Sequence, residues 1–331
     1  MKRFIDDPLT LVSQMIDGYM SAFGRSYKKI DGYNGIVMRN CEARVSIVTG
    51  GGSGGEPWCI GMAGEGLADG VAVGNIFASP PATAVAAVVK AVYNQKGVLL
   101  IAGNHSGDVM NFELAKELAE LETGIRCETL FVTDNLASDA VRSKRSGLAG
   151  VFTVIMVAAA AAREGLALDQ VKAVAAKANE NMSTLSATLS LGVNPVTGLQ
   201  MGEIKDGEVH YGMGITGEPG MQITKDCSAR AVATHLMEAL AMDLNLSAGD
   251  EVALLVNGGG CVPVLEELLI CRHVCAFLQE RRISVFDADV QERVKVERTN
   301  SVCVTVIRLD EDLKRHLSAS AASPLVCKHH F

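Results

Sequence analysis

One glycine-rich stretch, residues 45–57, constrains the fold of this chain more than any other feature. It opens with a β-branched run, Val45 to Thr49, which is typical of a buried strand. Five of the next six residues are glycine, and glycine lets the backbone take positive φ and approach a ligand closely. The stretch predicts either a strand-to-helix turn of an α/β fold or a loop whose N–H groups bind a small anionic or hydroxylated ligand. We favour the ligand-binding loop, because a turn needs fewer glycines.

The composition argues against several classes of protein. The net charge is −8 and no long basic block is present, so we expect no nucleic-acid partner. The longest apolar run, residues 151–162, is too short to span a bilayer and predicts a buried helix. The first residues lack the long apolar core of a signal peptide. The nine cysteines are scattered, and the one close couple, Cys271 and Cys275, lies in an apolar helix pattern without a second couple. This is typical of reduced thiols, so we predict a cytoplasmic protein without membrane or metal partners.

Strand and helix patterns alternate along the first half of the chain. Apolar runs that end at glycine, proline or polar residues predict strands at 70–81, 97–103 and 127–134, besides the strand at Val45. Amphipathic or alanine-rich patterns predict helices over 8–23, 82–93, 111–122, 151–163 and 168–182. This alternation favours a mostly parallel sheet with helices on both faces.

The pattern changes after about residue 190, where turn signals replace the regular alternation. Further strands are predicted at 208–220, 250–260 and 301–309, with helices over 227–244 and 263–280. We therefore predict an α/β protein of two domains, each a mostly parallel or mixed sheet flanked by helices. The first domain, 1–190, contains the glycine-rich loop and Asp108, and the second covers 191–331.

Two nucleotide-binding motifs can be compared with the glycine stretch. Gly50-x-Gly52-x-x-Gly55 matches the dinucleotide fingerprint, but a run of glycines matches many patterns. That fingerprint also needs an acidic residue at the end of the next strand, where this chain has Asn75. No Gly-x₄-Gly-Lys-Ser/Thr sequence is present, which excludes a P-loop. We expect no cofactor to bind this chain directly.

Asp108 is the candidate catalytic residue. It follows the strand predicted at 97–103 and precedes a predicted helix, and carboxylates at the carboxyl edge of a sheet serve as general bases or metal ligands. The alternative is an acid that only stabilises a helix N-terminus. His105, three residues earlier, could orient that carboxylate or contact a substrate. We favour the catalytic interpretation, because the glycine-rich turns should converge on the same edge.

Two Gly-Glu-Pro motifs, at 55–57 and 217–219, lie in different halves of the chain. They are either unrelated turns or parts of one cleft that both domains line. The sequence alone does not separate these two alternatives.

Together, these motifs resemble those of the substrate-binding (K) subunit of dihydroxyacetone kinases. Their order and spacing hold over nearly the whole chain. The motifs are Gly50-Gly51-Gly52-Ser53-Gly54-x-Glu56-Pro57, Phe77-x-Ser79-Pro80, Asn104-x-x-Gly107-Asp108-x-x-Asn111-Phe112-Glu113, Gly212-x-Gly214-Ile215-x-Gly217-Glu218-Pro219-Gly220 and Leu255-Val256-Asn257.

The resemblance implies a function and a set of partners. In that family this subunit holds a short ketose, is usually a homodimer, and receives a phosphoryl group that ATP or a phosphocarrier protein supplies through a helical nucleotide-binding partner subunit or domain. By residue matching, Asp108 would take the hydroxyl proton as the substrate oxygen attacks phosphorus. Gly52 and Ser53 also match family positions that contact the substrate. Our predicted substrate-binding residues are Gly51, Gly52, Ser53, Gly54, Gly55, His105 and Thr216.

The chain departs from the family pattern at three polar positions. The family's histidine that binds the substrate carbonyl as a hemiaminal is replaced by Thr216, whose hydroxyl cannot supply the nitrogen nucleophile. A second family histidine is replaced by Gly55, and a frequent lysine by Gly103. The chain is thus a divergent relative, and we expect a larger pocket that binds its ligand non-covalently.

Three hypotheses follow from the retained Asp108 and the replaced family residues. The first is a kinase subunit for a bulkier polyhydroxylated carbonyl compound or sugar, which retention of Asp108 favours. The second is a non-catalytic ligand-binding or regulatory relative, which loss of both histidines favours. The third is a divergent enzyme, such as an isomerase, that uses Asp108 and His105. We adopt the first.

Overall fold

The computed structural model describes residues 3–215, 217–296 and 298–328. Thr216, one of the predicted binding residues, lies outside these ranges. The described residues form eight α-helices: α1 (Leu11–Phe23), α2 (Ala82–Val92), α3 (Ser106–Thr123), α4 (Gly150–Arg163), α5 (Leu168–Glu180), α6 (Ala229–Asp243), α7 (Val264–Glu280) and α8 (Glu311–Leu317).

The same ranges contain two six-stranded sheets and one two-stranded sheet. The first sheet has the order β1-β2-β4-β3-β5-β6 and the second has the order β11-β10-β12-β7-β8-β9. The strands are β1 (Tyr27–Lys29), β2 (Gly35–Met38), β3 (Ser46–Ser53), β4 (Gly70–Ile76), β5 (Val98–Gly103), β6 (Cys127–Val132), β7 (Met182–Ser190), β8 (Val209–Tyr211), β9 (Gln222–Thr224), β10 (Glu251–Gly258), β11 (Ser284–Val290), β12 (Asn300–Arg308), β13 (Ala321–Ala322) and β14 (Cys327–Lys328).

Both large sheets are mixed. In the first sheet, β4, β3, β5 and β6 run parallel, and β1 and β2 add an antiparallel edge. In the second sheet only the pair β10–β11 is parallel. The predicted α/β class, with mixed sheets flanked by helices, is confirmed.

Helix α4 lies at the centre of the molecule. Thirteen of its residues are buried, so the apolar run at 151–162 forms the buried helix that the sequence predicts. One hydrophobic core joins α4 to Ile47 and Leu99 of the first sheet and to Leu255 and Ile307 of the second. The opposite faces of the two sheets pack in separate cores, against α2 and α3 on one side and α6 and α7 on the other. The two halves of the chain therefore share one continuous hydrophobic core.

Several elements differ from the sequence-based expectation. The sequence predicts no strand or helix where β1, β2, β7, β11 and α8 form. β1 and β2 are only three and four residues long, β11 is an edge strand that carries two aspartates, and β7 is rich in serine and threonine, so the strand pattern of each is short or weak. The predicted helix 111–122 begins five residues earlier, at Ser106.

Strand β7 bears on the predicted division into domains. It ends at Ser190 and belongs to the second sheet. If each sheet defines one domain, the domain boundary lies between Val132, the end of the last strand of the first sheet, and Met182, the start of β7. Both residues precede the predicted boundary. The division at residue 190 itself stays a prediction. Across the described ranges, none of the helices combines the length and apolar character needed to cross a membrane.

Candidate active site

The carboxyl ends of β3 and β5 meet at one edge of the first sheet and open into a cavity of about 380 Å³. Parallel strands end at the same edge, which is where α/β folds commonly bind ligands. Both halves of the chain contribute to the wall. The lining residues are Gly52, Ser53, Gly55, Trp58, Phe77, Ala78, Ser79, Gly103, His105, Ser106, Gly107, Asp108, Gly147, Leu148, Val151, Ile215, Val294, Lys295 and Val296.

Asp108 lies on this wall in the first turn of α3. The prediction that it sits in a loop ahead of a helix was wrong, because the helix begins at Ser106. Its side chain is 9% exposed, and its buried Oδ1 has no hydrogen-bond partner in the described structure. Burial raises the pKa of the Asp108 carboxyl, and the Ser79 hydroxyl and the charge of His105 offset part of that rise. A carboxylate held this way has a free oxygen and an increased affinity for a proton.

The position of Asp108 is also compatible with the alternative role, an acid that only stabilises the N-terminus of a helix. A carboxylate in the first turn of a helix interacts favourably with the partial positive charge there. That interaction does not account for the orphan Oδ1, because a purely structural acid would accept hydrogen bonds with both oxygens. An unpartnered carboxylate oxygen in a residue that lines the cavity therefore favours the catalytic interpretation.

His105 is the residue before α3, and its two ring nitrogens face different polar groups. Its Nε2 lies 3.0 Å from the carbonyl oxygen of Gly147, and its Nδ1 lies 4.0 Å from Oε1 of Glu218. Glu218 belongs to the second Gly-Glu-Pro motif and also accepts a hydrogen bond from the Ser146 hydroxyl at 2.7 Å. The second motif thus reaches across from the other half of the chain. This favours the interpretation of one cleft over that of two unrelated turns.

The segment 145–150, which forms part of the wall, is fixed by buried polar groups. The Asn104 amide donates to the carbonyl oxygen of Arg145 at 2.7 Å. Asp134 accepts hydrogen bonds from the backbone N–H groups of Leu148 and Gly150, at 2.6 and 2.8 Å. The Arg145 guanidinium forms two hydrogen bonds with Asp243 at the end of α6. The wall beside His105 is therefore rigidly tied to both halves.

The glycine stretch is not the loop that we predicted. Gly50, Gly51 and Gly52 lie within β3. Most of the glycines make room for other parts of the protein. A Cβ at Gly50 would lie 2.3 Å from the Ala72 carbonyl oxygen, and one at Gly55 would lie 2.3 Å from the Lys295 carbonyl oxygen. Close packing between strands and between the two halves thus explains much of the glycine content.

The structure brings five of the predicted site residues together on the cavity wall: Gly52, Ser53, Gly55, His105 and Asp108. Gly51 and Gly54 are not among the lining residues. A Cβ at Gly51 would meet the Trp58 indole at 2.8 Å, and Gly54 has φ +100° and faces the ring of Phe77. The Ser53 hydroxyl donates to the Gly74 carbonyl oxygen at 2.7 Å, which leaves its oxygen as an acceptor.

Sequence reasoning missed several residues of the site. Ser79 and Glu218 stood in motifs that we singled out, and their proximity to Asp108 and His105 could have been inferred only from the fold. Lys295 carried no sequence signal, because it lies in an irregular segment after β11. Its Nζ pairs with Glu292 at 2.7 Å, and its backbone N–H lies 3.4 Å from the Gly55 carbonyl oxygen.

The arrangement suits proton abstraction from a hydroxylated ligand. Asp108 can accept a proton, the hydroxyls of Ser79 and Ser106 line the same wall, and glycines leave the backbone accessible to a ligand. In the described ranges, no three His, Cys, Asp or Glu side chains cluster as metal ligands would.

Comparison with known proteins identifies the family. The model of the Dak1 domain matches residues 17–325. The chain belongs to the Dak1 family. The match spans both sheets and the whole cavity wall. The chain's high-coverage relatives are subunits or domains of dihydroxyacetone and erythrulose kinases, so it belongs with the dihydroxyacetone-kinase-like substrate-binding subunits of kinase-like phosphotransferases.

Curated Dak1 relatives include both separate subunits and longer kinases. The chain is 38% identical over 327 residues to the dihydroxyacetone-binding subunit DhaK of PTS-dependent dihydroxyacetone kinase 2 from Listeria innocua, covering 98% of each protein. It is 35% identical to D-erythrulose kinase from Mycolicibacterium smegmatis, covering 98% of this chain but 56% of the kinase.

Solved structures with the Dak1 fold superpose well on this chain. The dihydroxyacetone kinase of C. freundii has a TM-score of 0.85 and 28% identity, covering 97% of this chain and 59% of the kinase. The dihydroxyacetone kinase operon co-activator Dha-DhaQ has a TM-score of 0.89 at 24% identity, covering 96% of this chain and 98% of the co-activator. The latter likeness concerns the fold alone.

Proposed function

We propose that this chain holds a small hydroxylated carbonyl compound or sugar for phosphorylation, with Asp108 as the general base. The observation that carries the proposal is the buried Oδ1 of Asp108, which has no hydrogen-bond partner in the described structure and belongs to a residue on the cavity wall. A substrate hydroxyl is the complementary group, because it can donate a hydrogen bond to that oxygen. Without such a donor, a buried carboxylate oxygen is destabilising.

The proposed chemistry is a single phosphoryl transfer. The substrate hydroxyl loses its proton to Asp108 as its oxygen forms a bond to phosphorus, and the bond between phosphorus and the leaving group of the donor breaks. The proton then leaves Asp108 for solvent or for the leaving group. The Ser79 hydroxyl and the charge of His105 both lower the pKa of Asp108 and so favour the ionised carboxylate, the form that accepts the proton.

Non-covalent substrate binding is supported by the sequence, because the resemblance matches the family's covalent histidine to Thr216, whose hydroxyl cannot supply the nitrogen nucleophile. The second family histidine is replaced by Gly55. A Cβ at this position would lie 2.3 Å from the backbone oxygen of Lys295. This chain therefore has no room for a side chain there. Hydrogen bonds and shape must bind the substrate instead.

We further propose that the phosphoryl group comes from a helical donor subunit, which uses ATP or a phosphocarrier protein. One relative supports each donor. The Listeria protein is named PTS-dependent, which favours a phosphocarrier protein, and a C. freundii kinase structure contains AMP-PNP and Mg²⁺, which favours ATP. The homodimer and the cytoplasmic location stay predictions drawn from the sequence and the resemblance.

Two assays test this function. A thermal-shift screen of ketoses, aldoses and their acids identifies ligands, because binding to the native state raises the melting temperature. The ligands found are then supplied with the donor subunit of a related dihydroxyacetone kinase, together with ATP or a phosphorylated phosphocarrier protein. Formation of a phosphorylated product supports the proposal. Binding without product under both donor conditions would contradict it and favour the regulatory alternative, while rearrangement of a ligand without any donor would favour an isomerase.

The pH dependence of phosphorylation provides a separate prediction. A general base acts in its ionised form, and burial raises the pKa of Asp108 above the ordinary value of 3.8. The rate constant kcat/KM should therefore decline as the pH falls through this raised pKa, at a higher pH than an exposed aspartate would give. A pH–rate profile measured at subsaturating substrate checks this. A rate that is independent of pH down to the ordinary aspartate range would contradict the assignment.

A further inference from the structure

A second, smaller chamber of about 50 Å³ adjoins the main cavity. The two share a wall formed by Leu148, Ile215, Val294, Lys295 and Val296. Beyond that wall the chamber lies against the second sheet. Its polar lining groups come from β7, from the end of β10, and from β12 and the residue before it: Ser186, Thr188, Asn257, Thr299 and Ser301.

The hydroxyls of this chamber stand in register on one face of the second sheet. Thr188 of β7 is paired with Ser301 of β12, and Ser186 with Cys303. Side chains alternate between the two faces of a strand, so these four point to the same side. The other face carries apolar pairs such as Leu185 with Val304, which belong to the hydrophobic core. One face of a buried strand pair is therefore polar where it borders the chamber.

The protein does not satisfy all of these hydroxyls itself. The Ser186 hydroxyl donates to the Met213 carbonyl oxygen at 2.7 Å. Farther along the same face, outside the chamber, the hydroxyls of Thr184 and Thr305 bind each other at 2.7 Å. By contrast, Thr188 is only 2% exposed, and neither its hydroxyl nor that of Ser301 has a hydrogen-bond partner in the described ranges. Ser301 is only half-buried, and both residues line the chamber, so their hydroxyls remain available to a polar group that enters it.

We propose that this chamber is a second subsite, the hydroxyl subsite, which binds the distal hydroxyl groups of a sugar with four or more carbons. The inference rests on the proposed function and specifies its substrate class. Thr188 and Ser301 are the specificity-determining residues, and each can both donate and accept a hydrogen bond. Asp108 receives the reacting hydroxyl at one end of the ligand, and the second sheet binds the other end.

The size of the chamber fits such a tail. A cavity needs about 10–15 Å³ of this kind of volume for each water-sized group, so about 50 Å³ holds a few such groups. That is enough for a terminal hydroxymethyl group with a neighbouring hydroxylated carbon. A three-carbon ketose bound at Asp108 would leave the chamber without an organic occupant.

Calorimetric titration of the full chain with sugars of increasing length tests the subsite. The probes are dihydroxyacetone with three carbons, erythrulose with four, and ribulose and xylulose with five. We expect the preferred five-carbon probe to bind about tenfold more tightly than dihydroxyacetone, equivalent to about 1.4 kcal/mol. The double variant Thr188→Val/Ser301→Ala should lose that advantage while binding dihydroxyacetone within about twofold of the unmodified chain.

Thr305→Val is the matched control. It removes a hydroxyl from the same face of β12 but outside the chamber, so it should leave the dependence on chain length unchanged. An equal loss of affinity for all sugars in the double variant, or no four- or five-carbon probe that binds more tightly than dihydroxyacetone, would overturn the proposal. The readout is binding, so a chain that prefers longer sugars but transfers no phosphoryl group would contradict the proposed function and still support the subsite.

Discussion

Asp108→Asn is expected to lower kcat for phosphoryl transfer by about 100- to 10 000-fold, the range that general-base catalysis contributes. The substitution keeps the size of the side chain and removes its charge and its ability to take a proton. Substrate affinity should change much less, because an amide oxygen still accepts a hydrogen bond. Initial rates with the donor subunit present, together with calorimetric binding of the same substrate, separate the two effects.

The same variant should fold at least as stably as the unmodified chain at neutral pH. Burial raises the pKa of Asp108, which means that the folded state disfavours its ionised form, and an uncharged amide avoids that cost. Asp206→Asn, at an exposed turn, is the control and should leave both rate and melting temperature unchanged. An Asp108→Asn variant with full activity would refute the catalytic role, and one that unfolds would indicate a structural role.

Gly50→Ala is expected to lower the free energy of unfolding by about 3 kcal/mol, at the upper end of the cost of overpacking. The new methyl group would lie 2.3 Å from the carbonyl oxygen of Ala72, which is backbone in the neighbouring strand β4 and cannot rotate away. The strands β3 and β4 would have to separate at the position that leads into the cavity. Urea denaturation followed by circular dichroism measures the change.

Gly18→Ala is the control for this substitution. Gly18 is exposed in α1, and a methyl group there would meet nothing within 4 Å. Because alanine favours a helix over glycine, this change should stabilise the protein by about 0.5–1 kcal/mol. If Gly50→Ala were as well tolerated as Gly18→Ala, close strand packing would not be the reason for glycine at position 50.

The fold could be predicted largely because its elements are long and their patterns regular. The buried helix α4 and the strands β3 and β5 follow from continuous apolar runs that local sequence reveals. β7 could not be recognised in the same way. It carries serine or threonine at five of its nine positions, and two of these, Ser186 and Thr188, line the chamber beside it, which only the tertiary structure reveals.

The site was predicted in its centre but not in its surroundings. Asp108 and His105 stand out because they follow a buried strand directly. Glu218 and Lys295 reach the site from the second half of the chain, more than 100 residues away, and only the tertiary fold brings them there. For the glycines, sequence reasoning predicted too large a role in ligand binding. Their number suggested ligand binding, whereas the contact of Gly55 with the Lys295 backbone reflects packing between the two halves.

A crystal structure of the chain with its tightest-binding sugar tests the central claim most directly. The account predicts that one hydroxyl oxygen of that sugar lies about 2.6–3.2 Å from Oδ1 of Asp108, within hydrogen-bond reach of a general base. It also predicts that no covalent bond joins the sugar to the protein. A sugar bound in the cavity with every hydroxyl out of reach of Asp108, or bound elsewhere on the molecule, would contradict the account.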